Sequence, residues 1–124
     1  MTPEEILAAP PRVLSQQQRE HYFSQGYVCL ESFLPADVLA EMVAVTAEFV
    51  DASRSETKPG AVFDIGPGHG PERPVLRRLK RPDDQHEAYW RFAKGLIADV
   101  AADLAGPDVV FHHAKLNFKW FDES

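Results

Sequence analysis

The sequence predicts an α+β domain in which N-terminal helices pack on a partial antiparallel sheet, and three observations predict it. Apolar residues recur at spacings of three and four between Leu39 and Val50, which is one face of a helix. A second, broader stripe of the same period runs from Tyr89 to Leu104. From Val109 to Trp120 apolar and polar residues alternate instead, the period of a strand.

In chain order, Ser15 followed by Gln18 is a capping box, and the helix it opens covers 16–25 and stops at Gly26. Tyr27-Val28-Cys29-Leu30 is rich in β-formers and too short for a helix, so it reads as a strand. Pro35 suits an early helical position, and the helix 36–52 turns Leu39, Met42, Val43, Thr46, Phe49 and Val50 to the core. Residues 53–73, SRSETKPGAVFDIGPGHGPER, lose periodicity and gather glycine and proline, which predicts a mobile loop with a short strand at Ala61–Ile65. Pro74 to Lys80 reads as a strand ended by Pro82, which has no N–H for a central ladder. Asp83 or Asp84 then caps the helix that carries the second stripe, with Gly95 bending or dividing it and Gly106-Pro107 ending it.

The chain is 124 residues long, a single-domain size, with the 44% hydrophobic and 26% charged content of an ordinary globular protein. A net charge of −6 argues against nucleic acid or an anionic membrane as partner. No apolar run reaches the ~20 residues of a membrane-spanning helix. Cys29 is the single cysteine, and the start MTPEEILAAPP lacks the apolar core of a secretory signal, so a cytoplasmic location is expected.

Several residues invite a functional reading beside a plainer one. His86-Glu87 has the opening of a zinc-protease helix, but Trp90 stands where a second histidine is needed. The loop Gly66-Pro67-Gly68-His69-Gly70-Pro71 is glycine-rich, yet its prolines lack the N–H groups of a phosphate cradle, which favours a flexible loop over a lid. Arg77, Arg78, Lys80 and Arg81 could meet a phosphate or a coenzyme A tail; a solvated strand whose charges deter edge pairing is the favoured reading. Tyr89, Trp90 and Phe92 have helical spacing and read as core rather than a stacking set. Cys29 reads as a buried structural thiol.

The last strand has two faces. Val110, His112, Ala114, Leu116, Phe118 and Trp120 form a largely apolar one, and Val109, Phe111, His113, Lys115, Asn117 and Lys119 form one that turns polar toward its end. A polar face belongs either to an outer strand in water or to the wall of a cavity, and spacing does not choose. Lysine as a point charge beside asparagine as donor and acceptor would suit a carboxylate ligand.

LSQQQREHYFSQGYVCLESFLPADVL near the N-terminus and GPDVVFHHAKLNFK near the end, in this order, resemble the N-terminal part of the phytanoyl-CoA dioxygenase family. The resemblance rests on Gly26, Tyr27, Val28, Leu30, Leu34 and Pro35, and on Gly106, Pro107, Asp108, Val109, His112 or His113, Leu116, Asn117 and Lys119. It implies an iron(II)- and 2-oxoglutarate-dependent oxygenase that hydroxylates a small organic molecule, with the sheet as an incomplete double-stranded β-helix, or jelly roll. It also implies that Asn117 and Lys119 help hold 2-oxoglutarate, with His113 a weaker candidate on the same face.

The resemblance further implies a His-x-Asp pair, a later histidine and a co-substrate arginine. No His-x-Asp occurs: His21, His69, His86, His112 and His113 are all followed otherwise. The chain is therefore expected to be the N-terminal portion of a longer enzyme, with no metal ligand of its own and no turnover alone. A non-catalytic α+β binding or interaction module is the rival reading.

Overall fold

The computed structural model describes residues 1–120; the last four positions of the expected 1–124 domain lie outside the described residues. The protein is α+β. Its elements are α1 (Pro3–Ala8), α2 (Gln16–Gln25), α3 (Ala36–Ala52), a 3-10 turn (Ser53–Ser55), β1 (Phe63–Ile65), β2 (Leu76–Lys80), α4 (Pro82–Gln85), α5 (Glu87–Phe92), a π-helical turn (Ala93–Ile97), α6 (Ala98–Ala105) and β3 (Lys115–Asn117). The chain divides into two compact units, Met1–Pro35 with Arg91–His112, and Ala36–Trp90 with the segment from His113 onward.

In the first unit, α1 opens with a capping box between Thr2 and Glu5, the same chemistry as the Ser15–Gln18 box that opens α2. Gly26 ends α2 at φ 83°, a left-handed conformation that costs glycine little, and its N–H donates to the Tyr22 carbonyl at 2.8 Å. The helix between is polar, and the residue it buries is Arg19, 1% exposed. The guanidinium is satisfied by oxygens: Nε donates to the Asp103 carbonyl at 3.0 Å, Nη1 to the Ala9 carbonyl and Gln16 Oε1 at 2.9 and 3.1 Å, and Nη2 to the Ile6 carbonyl.

Asp103 of α6, 3% exposed, holds the segment before α2. Its Oδ1 accepts from the Arg12 amide at 2.7 Å and its Oδ2 from the Val13 and Leu14 amides, each at 2.9 Å. Burial works to raise the Asp103 pKa, but these three hydrogen bonds and the Arg19 charge outweigh it and hold the carboxyl below the usual carboxylate range. Ile6, Leu14 and Ala102 supply the buried apolar surface around this pair.

Two expectations in this unit are corrected. Tyr27–Leu30 has no ladder partner and is not a strand, because the three strands of the described residues are β1, β2 and β3. Cys29, without a strand to bury it, is exposed rather than a buried thiol. The division expected at Gly95 takes the form of the π-helical turn, in which that glycine is the middle residue, and the helix ends at Gly106 as predicted.

In the second unit α3 has the predicted bounds, but its core face is rotated from the predicted one. Val45 is the buried residue, with Met42 and Phe49 packed beside it, whereas Leu39 and Val43 are 49% and 61% exposed. The open sheet has the order β1-β2-β3, antiparallel throughout, so the expected strand at Ala61–Ile65 narrows to β1 and that at Pro74–Lys80 to β2. Val45, Leu79, Ala88 and Tyr89 form the core, against which Phe63, Leu116 and Phe118 pack. Phe49 sets its ring 6.1 Å from Tyr89 and 6.5 Å from Phe63. Tyr89 keeps its hydroxyl satisfied at 2.7 Å from Thr46 Oγ1; burial raises its pKa and that hydrogen bond opposes the rise.

Neither Asp83 nor Asp84 caps the next helix. Arg81 is the N-cap residue at φ 48°, Pro82 takes the first helical position, and both aspartates fall in the first turn. His86 caps α5 instead, its Nδ1 accepting the Ala88 amide at 3.0 Å, while Tyr89 packs in the core and Trp90 stays 37% exposed. The strand predicted from Val109 to Trp120 shortens to Lys115–Asn117, the residues in register with Lys80, Leu79 and Arg78 of β2. Val110, 88% exposed, precedes the ladder in irregular chain.

Candidate functional site

Side chains alternate across the three strands in matched rows. Phe63, Leu79 and Leu116 stand opposite one another and face the core, while Asp64, Arg78 and Asn117 stand opposite one another on the other face. The polar row begins an open cavity of about 360 Å³, which Arg77, Lys119, Phe118 and Trp120 complete.

The central strand would not place both arginines there if it alternated strictly. In the order Leu76-Arg77-Arg78-Leu79, period two sends one leucine and one arginine to each face. The register shows how this is avoided: Asp64 pairs with Arg78 and Ile65 with Leu76, so Arg77 is the extra residue of a β-bulge. Both leucines are 0% exposed as a result, and both arginines line the cavity. This corrects the reading of the basic cluster as edge protection, since β2 is the central strand. Lys80 instead donates to the Gly60 carbonyl at 2.8 Å, and Arg81 meets Asp84 at 3.4 Å.

Within the cavity, Arg78 reaches Asp64 Oδ2 with Nη2 at 2.9 Å and Nε at 3.2 Å. The ladder continues past β3, with the Phe118 amide donating to the Arg77 carbonyl at 2.9 Å. Trp120 Nε1 then donates to the Leu76 carbonyl at 2.8 Å, and the Phe118 and Trp120 rings stack with centroids 6.2 Å apart. These bonds fix the backbone that presents Asn117 and Lys119. His113 lies before β3, exposed and outside the cavity lining, so the structure brings together two of the three residues named from the sequence.

The glycine-rich loop beside this face is tied down by His69. Its Nδ1 accepts the Val75 amide at 2.8 Å, which leaves Nε2 to carry the proton and donate to the Ser53 carbonyl at 2.7 Å. Sequence reasoning gave that histidine no role.

Among the described residues the lining charges are three cations and one carboxylate, with the amide of Asn117 among them, a donor set suited to a small anion. No group of three His, Cys, Asp or Glu side chains among the described residues stands where one metal ion could be held. No helix of the described residues is long and apolar enough to cross a membrane.

Compared with known proteins, the chain is 24% identical over 108 residues to the "Probable alpha-ketoglutarate-dependent hypophosphite dioxygenase" of Stutzerimonas stutzeri. The match takes in 86% of this chain and 37% of the relative, so the chain spans well under half of that protein's length. Alpha-ketoglutarate is 2-oxoglutarate; the likeness is thus to a 2-oxoglutarate-dependent oxygenase and does not single out the phytanoyl-CoA dioxygenase family. No family model and no solved structure matches the chain.

Proposed function

We propose that this chain is the N-terminal part of an iron(II)- and 2-oxoglutarate-dependent dioxygenase of the phytanoyl-CoA dioxygenase type, working in the cytoplasm on a small molecule. The observation that carries the reading is the cavity in which Asn117 and Lys119 stand beside Arg77 and Arg78 on the outer face of the sheet. The likeness to a 2-oxoglutarate-dependent enzyme supports it. The three strands are taken as part of a double-stranded β-helix of about eight.

The described residues do not fit an iron site. They do fit 2-oxoglutarate: Lys119 supplies a positive point charge for a carboxylate, and the Asn117 amide donates to an oxygen beside it. When bound, 2-oxoglutarate supplies two electrons as it loses carbon dioxide and becomes succinate. The chain's own part is to hold and orient that molecule. Turnover is assigned to the whole protein and not to these residues alone. The relative's name specifies hypophosphite as its substrate; for this chain we propose only a small molecule.

Binding decides between this reading and a non-catalytic module. Titration of 2-oxoglutarate into the chain, followed by NMR shifts of the β3 amides, should show saturable binding. Asn117→Ala and Lys119→Ala should each weaken it by about 1–3 kcal/mol, the value of a charge-assisted hydrogen bond lost from a binding site. Equal binding by wild type and both variants would sink the co-substrate wall. A His-x-Asp codon set downstream in the coding sequence is expected with it, and an in-frame stop would favour the module.

A further inference from the structure

The glycine-rich loop between β1 and β2 closes on a side chain where the ladder calls for backbone. In an antiparallel hydrogen-bonded pair two residues exchange both N–H···O bonds. Here the Gly66 amide donates to the Val75 carbonyl at 2.8 Å, but the Val75 amide donates to His69 Nδ1 at 2.8 Å, while the Gly66 carbonyl accepts the His69 amide at 3.2 Å. A ring nitrogen thus stands in for the ladder acceptor. It accepts only while it is unprotonated, so this rung exists in one charge state of the histidine alone. Histidine is the side chain whose charge ordinarily changes between about pH 5 and 8.

The two ring bonds respond differently to a proton. Nε2 donates to the Ser53 carbonyl at 2.7 Å in either state, and Ser53 opens the 3-10 turn directly after α3, a helix end where positive charge is favoured. Ser53 is 0% exposed and its hydroxyl donates to the Val50 carbonyl at 2.6 Å, so this anchor belongs to the packed end of the helix. At Nδ1 a proton replaces the acceptor by a second donor, and the amide of the buried Val75 is left facing it. An unpaired N–H in that position is costly, and the loop relieves it by leaving.

Charged groups on the elements around the ring are Asp51, Arg54 and Glu56 at the end of α3, Glu72 and Arg73 within the loop, and Arg77 on β2. Asp51 and Arg54 pair with each other at 2.8 Å, and Arg54 also donates to the Pro71 carbonyl. A guanidinium keeps its charge throughout this range, so that tie is the same at both ends of it.

We propose that His69 is a proton-operated latch on the glycine-rich loop, closed on β2 while the ring is neutral and open when the ring is charged, with Ser53 as its anchor in both states. The loop borders the cavity, because the Arg77 stem crosses Gly66 so closely that a Cβ there would lie 2.8 Å from Arg77 Cδ. The latch therefore acts on the cavity wall, whichever ligand the cavity holds.

The test follows the 124-residue chain by NMR from about pH 7.5 to about pH 5, the range in which histidine titrates. It reads the backbone 1H–15N NOE of residues 66–73, the hydrogen-exchange protection factor of the Val75 amide and the ring 15N shifts of His69. Wild type should pass from a neutral ring protonated on Nε2 with an ordered loop to a charged ring with a lower loop NOE and about tenfold less protection at Val75, the effect of one backbone hydrogen bond lost. All three curves should share one midpoint. His69→Gln, whose amide carries a donor and an acceptor at every pH, should hold the loop throughout. His86, whose Nδ1 also accepts a backbone amide, is retained in that variant, which separates the two histidines. A loop equally ordered at both pH values overturns the proposal, whether or not the ring has taken up its proton, and so does a His69→Gln loop that loosens in acid as wild type does. If glutamine fails to hold the loop even at the higher pH, the wild-type curves decide, and separate midpoints for the loop and the His69 ring overturn the latch.

Discussion

Asp103→Ala should cost about 3–5 kcal/mol of folding stability, because it removes a buried carboxylate that accepts three backbone amides and lies near the buried Arg19 charge. The substitution strands the Arg12, Val13 and Leu14 amides and leaves the buried Arg19 guanidinium without the carboxylate's compensating charge. Typical domains hold only about 5–15 kcal/mol in total, so the variant sits near unfolding at room temperature. Urea denaturation followed by circular dichroism reads the loss. Asp103→Asn keeps the shape and part of the hydrogen bonding, and should fall between wild type and alanine.

The same carboxylate gives the stability a pH dependence of definite sign. Its folded-state pKa is lowered, so the unfolded chain binds the proton more readily. Its contribution is therefore complete above the unfolded carboxylate value near 3.9, and is lost as pH falls from there through the lower folded value. Acid unfolding of Asp103→Asn should lack this component. An alanine variant with wild-type stability at neutral pH would show that the amides find water instead.

Leu79→Ala should cost about 2–5 kcal/mol, the range for deleting a fully buried leucine whose surroundings relax only in part. Leu79 is 0% exposed on the central strand, with Phe63 opposite it on β1 and Leu116 opposite it on β3. The cavity left by alanine thus opens between all three strands, where no loop can collapse into it. Leu79→Met, nearly equal in volume, should cost less than about 1.5 kcal/mol. A shift in urea midpoint at constant slope reads both values, and an alanine variant within 1 kcal/mol of wild type would disprove the packing assigned to β2.

What could be read from the sequence was local. The Ser15–Gln18 box and Gly26 bounded α2 because caps act over three or four residues, and the same signature at Thr2–Glu5 would have found α1. The bounds of α3 were legible but its core face was not, since a helix with apolar residues on several sides offers more than one stripe. Arg19 and Asp103 were invisible because a polar helix gives no hint that one arginine turns inward, toward a carbonyl 84 residues away. The strand signal at Tyr27–Leu30 and Val109–Ala114 failed for want of partners, as β-propensity needs a ladder to be expressed. At the site, Asn117 and Lys119 were named from the alternation of the last segment and from the family resemblance, whereas Arg77 and Arg78 needed the bulge. Two leucines three apart within a strand were the available signal, because both can be buried only if the strand slips by one residue between them.

The pairing of Lys80 with Lys115 spans the whole helical segment between β2 and β3, whereas β1 and β2 are joined by the shorter loop 66–75. Closing the shorter loop loses less chain entropy, so the β1–β2 hairpin, with Asp64 already beside Arg78, is the earlier pairing. Asn117 and Lys119 arrive only when β3 docks. An anion that bridges the two sets of residues therefore acts as a clasp on the final step of folding. It should slow the release of β3 more than it speeds the formation of the hairpin.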